Sequence, residues 1–193
     1  MTPFETLRDL LLRDRSIRRF DGGIPVSDSM LRSLIELTRF CHSGRNLQPL
    51  RYKIVNDPEK CAEIFPALKW AGYYEDWDGP AEKERPTAYI IQCLDTTLTT
   101  NPLCDEGLQL EAISLGATSA GLGGCIIKAF DKQLIAESLQ IPHNLDIRYV
   151  YALGVPAEKT RITVLEPGGD YRYFRDENDV QCVPKLDVKN LII

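Results

Sequence analysis

The chain has 193 residues, 44% hydrophobic and 26% charged, with a net charge of -5. That length suits one domain, residues 1–193, with a sizeable core. The mild acidity argues against nucleic-acid binding, and no apolar run approaches bilayer length. In chain order, Leu7, Leu10 and Leu11 recur at helical spacing and predict an amphipathic helix from residue 3 to about 13. A second helix is expected from the capping residues Ser27 or Asp28, burying Leu31 and Leu34. Residues 51–55 read as a strand, and Asp57-Pro58 opens a third helix that Pro66 should end. Residues 71–86 are aromatic and charged without a period, and read as a long loop.

Residues 88–94 form a short apolar run with the look of a buried strand. The least polar helix is expected over 105–120, ending in GLGG. A strand (CIIKAF), a helix capped by Asp131 and a strand over 146–156 follow. From about 157 the tail lacks periodicity and reads as irregular, a segment suited to packing on a partner subunit. The fold class is α+β, with roughly five helices around a few strands.

Six cysteines, at 41, 61, 93, 104, 125 and 182, show no CxxC spacing and read as reduced thiols. With only His42 and His143, no transition-metal site is expected. The N-terminus MTPFETLRDLLLRDR lacks a positive start followed by an apolar stretch, so it does not read as a signal peptide. The expected location is the cytoplasm, with no membrane partner.

Two stretches carry chemistry. RDRSIRRF, 13–20, places four arginines around a serine in an acidic chain. A phosphomonoester wants such a set, since charge-assisted bonds to it are short and strong; the alternative is a solvated charged face. In HSGRNLQPL, 42–50, Pro49 is expected to hold Gln48 extended, so that Asn46 and Gln48 point one way. Paired amides match the alternating donor and acceptor edge of a nucleobase or flavin ring, or simply serve their own loop. GATSAGLGG, 116–124, is not a dinucleotide fingerprint, because a helix precedes it and a strand follows. No GxSxG, HExxH or GKS/GKT occurs, and Cys125 reads as a buried thiol.

Taken in order, DRSIRRF, HSGRNLQPLRY, GLGGCIIKAFD, the ALGVP strand and Pro184-Lys185 resemble the motifs of the FMN-dependent nitroreductase family. The resemblance implies a central mixed or antiparallel sheet flanked by helices, with the C-terminal tail extending onto a partner subunit. It implies a homodimer with the flavin site at the interface. FMN would be the cofactor, NAD(P)H the electron donor, and a nitroaromatic or quinone the small-molecule acceptor, in a ping-pong cycle through flavin N5. By position, Arg15, Ser16 and Lys185 would hold the FMN phosphate and Arg18 the pyrimidine side. Asn46 and Gln48 would address the ring edge, and the Lys128 and Ala129 backbone would face N5 and O4. No catalytic side chain is implied. Asp14 and Leu186 stand where many members carry arginines, which leaves a non-catalytic FMN-binding protein as the alternative. The aromatic loop 71–79 is a candidate for acceptor contacts or for interface packing.

Overall fold

The computed structural model describes residues 1–193. Helix α1, Pro3–Arg13, starts on a reciprocal cap: the Thr2 side chain accepts from the Glu5 N–H while the Glu5 carboxylate accepts from the Thr2 N–H. Ser27 caps α2, Asp28–Glu36, which buries Leu31 and Leu34. Strand β1, Leu50–Val55, leads to α3, Pro58–Ile64, which tightens into a 3-10 turn at Pro66 as the sequence predicts. Strand β2, Ala88–Asp95, then α4, Asp105–Ser119, strand β3, Gly123–Ile127, helix α5, Lys132–Leu139, and strand β4, Leu145–Gly154, complete the main body.

The four strands form one antiparallel sheet in the order β1-β2-β4-β3. Helices cover both faces, which is why β2 and the second half of β4 are buried along their length rather than on alternate residues. Along β2, Tyr89, Ile91 and Cys93 enter the core shared with α3 and α5, while Ala88 and Ile90 enter the one shared with α2 and α4. Along β4, Val150 and Ala152 face the first core, Tyr151 and Leu153 the second.

The tail departs from expectation. Residues 160–186 form a second sheet of three strands, β5 (Thr160–Leu165), β6 (Phe174–Arg175) and β7 (Gln181–Leu186), in the order β5-β7-β6. β5 and β7 run parallel. The β-branched Thr160, Ile162, Thr163 and Val164 favour a strand, but Pro184 hides its partner. β6 reaches only Gln181 and Cys182, so at Pro184 strand β7 is paired on one side alone, where a missing N–H is tolerated.

The arginine-rich segment lies against the end of β3. Ser16 bridges Gly124 in parallel, and the Ile17 N–H donates to the Gly124 carbonyl at 2.9 Å. Gly124 is itself packed on β4, where an added Cβ would lie 2.3 Å from the buried Tyr151 ring. Gly124→Ala is therefore expected to cost about 1–3 kcal/mol. A lowered urea midpoint with an unchanged slope would report it, and an unchanged midpoint would show that Tyr151 can yield.

Candidate functional site

Arg15, Ser16, Arg18 and Lys185 meet at a cavity of about 320 Å3, together with Asp14, Glu111 and Tyr173. Sequence places Lys185 far from the arginines; β7 brings it back. Arg15 leaves the end of α1 and donates through Nη2 to the Leu11 carbonyl at 2.5 Å, meeting one of the acceptors that a helix end leaves open. Arg18 is 9% exposed, and its guanidinium sits 4.5 Å from the Tyr173 ring centroid. The Nε atoms of both arginines are buried without a partner. An unpaired buried donor of that kind is costly, and an anion in the cavity would relieve it.

The backbone here is fixed from a distance. Glu158, with a side chain 2% exposed, accepts the Arg18 and Arg19 N–H groups and the Arg175 guanidinium. Tyr173 is in turn held by the aromatic loop, with Tyr73 at 4.9 Å and Tyr74 at 5.3 Å between centroids. The Tyr74 hydroxyl donates to Gln181 Oε1 at 2.7 Å. The loop at 71–79 thus packs within its own chain and walls the Arg18 side. Burial pushes the Cys125 thiol up, with nearby Arg18 opposing it, as suits an unreactive thiol.

Two carboxylates share the cavity. Asp14 is engaged: its Oδ1 accepts from Ser114 Oγ at 2.8 Å and from Thr118 Oγ1 at 3.2 Å, tying the end of α1 to α4. Glu111 makes no such bonds. Burial raises its pKa above the ordinary carboxylate value, neighbouring Asp14 adds to the rise, and Arg15 opposes it.

Asn46 and Gln48 lie elsewhere. They line a separate cavity of about 200 Å3 with Tyr52 and Gln109. Gln109 and Glu111 stand two residues apart on α4, so the helix presents them on different sides and separates the two cavities. Gln48 is not extended. Its φ is 50°, and Arg45 and Asn46 are also left-handed, at 55° and 57°. Proline disfavours the right-handed helical region in the residue before it. The turn takes the left-handed alternative because the Gln48 N–H is held by Ser43 Oγ at 2.9 Å. The two amides meet each other, Gln48 Nε2 donating to Asn46 Oδ1 at 3.3 Å and to the Asn46 backbone carbonyl at 3.2 Å.

Behind this loop stands Asp105, fully buried at the start of α4. It accepts from Ser43 Oγ at 2.6 Å and from the Gly44 N–H at 2.8 Å. Neither Asp105 nor Glu158 has a local sequence signal, because each acts across more than 60 residues.

Lys128 and Ala129 follow β3 and line neither cavity. The Lys128 ammonium lies 4.1 Å from the Tyr149 centroid and donates to the Arg148 carbonyl at 3.2 Å. The N–H groups of Lys128 and Ala129 make no hydrogen bond within the chain.

The class is α+β, with an antiparallel sheet between helix layers and a cation-lined cavity beside β3. Residues 12–105 match the model of the Nitroreductase family. A nitroreductase family protein from Clostridium novyi NT is 25% identical, with 77% of this chain and 85% of that one covered, at a TM-score of 0.63. The nitroreductase family protein from Streptococcus pneumoniae TIGR4 is 19% identical and superposes over 97% and 98% of the two chains at 0.70. The NADPH:FMN oxidoreductase from Vibrio harveyi, complexed with NAD+, is 24% identical over 81% and 71%, at 0.64. Motifs, family model and fold agree in their likeness to the nitroreductase family.

Asp105→Asn keeps the size of the side chain but leaves one carboxylate oxygen's worth of acceptor where two donors point. It is expected to cost about 1–3 kcal/mol and to speed hydrogen exchange at Gly44 and Gln48. Exchange at wild-type rates would show that the loop holds itself.

Proposed function

We propose that the chain is an FMN-dependent oxidoreductase that takes hydride from NAD(P)H and reduces a small acceptor such as a nitroaromatic or quinone. The observation that carries this reading is the gathering of Arg15, Ser16, Arg18 and Lys185 around one cavity in which two guanidinium nitrogens lack a partner. Two cations, Arg15 and Lys185, and the Ser16 hydroxyl fit a phosphate monoester, leaving Arg18 for the ring. Two proteins of similar structure, an NADPH:FMN oxidoreductase and an FMN-dependent nitroreductase, point the same way.

FMN held here would supply hydride acceptance and donation at N5. The chain's own work is to bind and to position. Arg15, Ser16 and Lys185 hold the phosphate, and Glu158 fixes the backbone from which Arg18 projects. Arg18, stacked on Tyr173, places a fixed positive charge where negative charge on a reduced ring is favoured.

One copy is incomplete in this reading, since α4 stands between the cation cavity and the amide pair. A second copy, bringing its own Asn46 and Gln48, completes the site in a homodimer. Supporting this, α1 buries none of its residues, and Phe4, Leu7 and Leu12 are 74%, 47% and 52% exposed. Terminal Leu191 and Ile192, 66% and 72% exposed, extend that apolar surface inventory and suit a tail that reaches a partner. Six free cysteines suit the reducing cytoplasm. A second reading, a non-catalytic FMN-binding protein, is favoured by Asp14 and Glu111 inside the cradle and by Leu186 at an arginine position.

The purified protein is expected to carry a visible flavin band that bleaches anaerobically with NADH or NADPH. A persistent band would favour the non-catalytic binder, and no band after soaking with FMN would overturn both readings. Arg15→Met removes a charge-assisted contact of about 1.5–3 kcal/mol, so FMN should bind roughly tenfold to a hundredfold more weakly. Riboflavin, which lacks the phosphate, should be unaffected; equal losses for both ligands would place Arg15 elsewhere.

Glu111 sets a pH dependence. Its raised pKa means that it is neutral at low pH and charged once pH passes above the ordinary carboxylate range. FMN affinity should therefore fall as pH rises through its titration. Glu111→Gln should bind FMN several-fold more tightly at neutral pH and lose that part of the pH dependence, read by fluorescence titration of the apoprotein. An unchanged profile would remove Glu111 from the cradle's charge balance.

A further inference from the structure

A third cavity, of about 430 Å3, lies between the Gly22-Gly23 turn, the start of α3 and the loop before β2. It shares no lining residue with the two cavities described above. Its volume falls in the usual range for small-molecule sites, about 300–1,000 Å3. Pro25, Pro58 and Pro86 form much of its wall, giving rigid apolar surface without backbone donors.

Two polar groups in this wall have no work within the chain. Arg85 lies with its guanidinium 4.0 Å from the Phe65 ring centroid, so one face is covered, and its Nε is buried without a partner. The adjacent acid, Glu84, turns instead to Arg19 at 3.8 Å. Tyr89 is 1% exposed, and its hydroxyl makes no hydrogen bond within the chain. The Cys61 thiol, by contrast, is spent on the Val55 and Thr87 carbonyls at 3.7 and 3.8 Å. Buried polar groups ordinarily find partners, so the orphaned Arg85 Nε, with the unbonded Tyr89 hydroxyl on the same wall, calls for an external one.

We infer that this cavity binds a small organic carboxylate, with Arg85 taking the carboxylate and the Tyr89 hydroxyl donating to it. A planar guanidinium offers a paired donor edge that matches a carboxylate. Arg85 is the one cation of a wall that also holds the acid Glu82, so its charge balance suits a monoanion rather than a dianion. A phosphate dianion would ask for a second cation, and the wall supplies none. The site stands apart from the flavin cradle and does not depend on the flavin reading.

The test is a calorimetric titration of the FMN-soaked protein with benzoate. Wild type is expected to bind one benzoate per chain saturably, and more tightly than inorganic phosphate. Arg85→Met should weaken benzoate binding at least tenfold, and Tyr89→Phe, which removes only the hydroxyl, several-fold. FMN binding should be unchanged in both variants, which separates this site from the cradle. Should Arg85→Met unfold, Arg85→Lys, which keeps charge but loses the fork, should still weaken benzoate. No saturable benzoate binding to wild type, equal affinity in the Arg85 variants, or tighter binding of phosphate than of benzoate would each overturn the inference.

Discussion

The candidate site depends on a buried carboxylate that touches none of the cavity's contents. Glu158 follows β4 and turns back to accept the N–H groups of Arg18 and Arg19, while Arg175 from β6 balances its charge. A fully buried carboxylate is expensive unless it is paired and hydrogen-bonded. Here the pairing joins three separate pieces of chain: the segment after α1, the link after β4 and the small C-terminal sheet. Through it, the arginine segment is held against β3 on one side and against Tyr173 on the other. Removing one partner would leave an uncompensated charge, so the three pieces stay together or come apart together.

Asp105 does for the amide loop what Glu158 does for the arginines. It satisfies Ser43 and Gly44 from the buried start of α4, and Ser43 in turn holds Gln48. Three left-handed non-glycine residues in four positions store backbone strain, which persists only when surrounding bonds over-determine it. The two loops are thus pre-set by buried carboxylates on other elements, Glu158 for the arginines and Asp105 for the amide loop.

Much of the main body was legible because each strand and helix announces itself locally. The apolar run of β2 reflects burial on both faces, and Ser27, Asp57 and Asp131 mark helix starts with their own side-chain bonds. The small sheet was not legible, since Pro184 argues against a strand unless one knows that β6 ends short of it. The left-handed Gln48 was missed for a related reason: proline before-position rules narrow the choices, and a bond from Ser43 makes the final one. Lys185 could be attached to the arginines by resemblance alone. Glu158 and Asp105 were invisible, because a lone acid in a loop or at a helix start carries no mark of what it will meet in the fold.

Asp14 shows how one substitution can be read in two ways. By position it removes a cation from an anion site, which weakens the case for tight phosphate binding. In the fold its carboxylate is spent on Ser114 and Thr118, and Ser114 also meets the Tyr151 hydroxyl at 3.2 Å. Tyr151 is the ring that forbids a side chain on Gly124, where the arginine segment docks. Asp14 therefore braces α1 to α4 and, through Ser114 and Tyr151, to the strand end that carries Ser16. Its charge is partly met by two hydroxyl donors before any ligand arrives. Glu111 has no such donors, so the repulsion that an anion meets in this cradle comes mainly from Glu111, and that repulsion is removable by a proton.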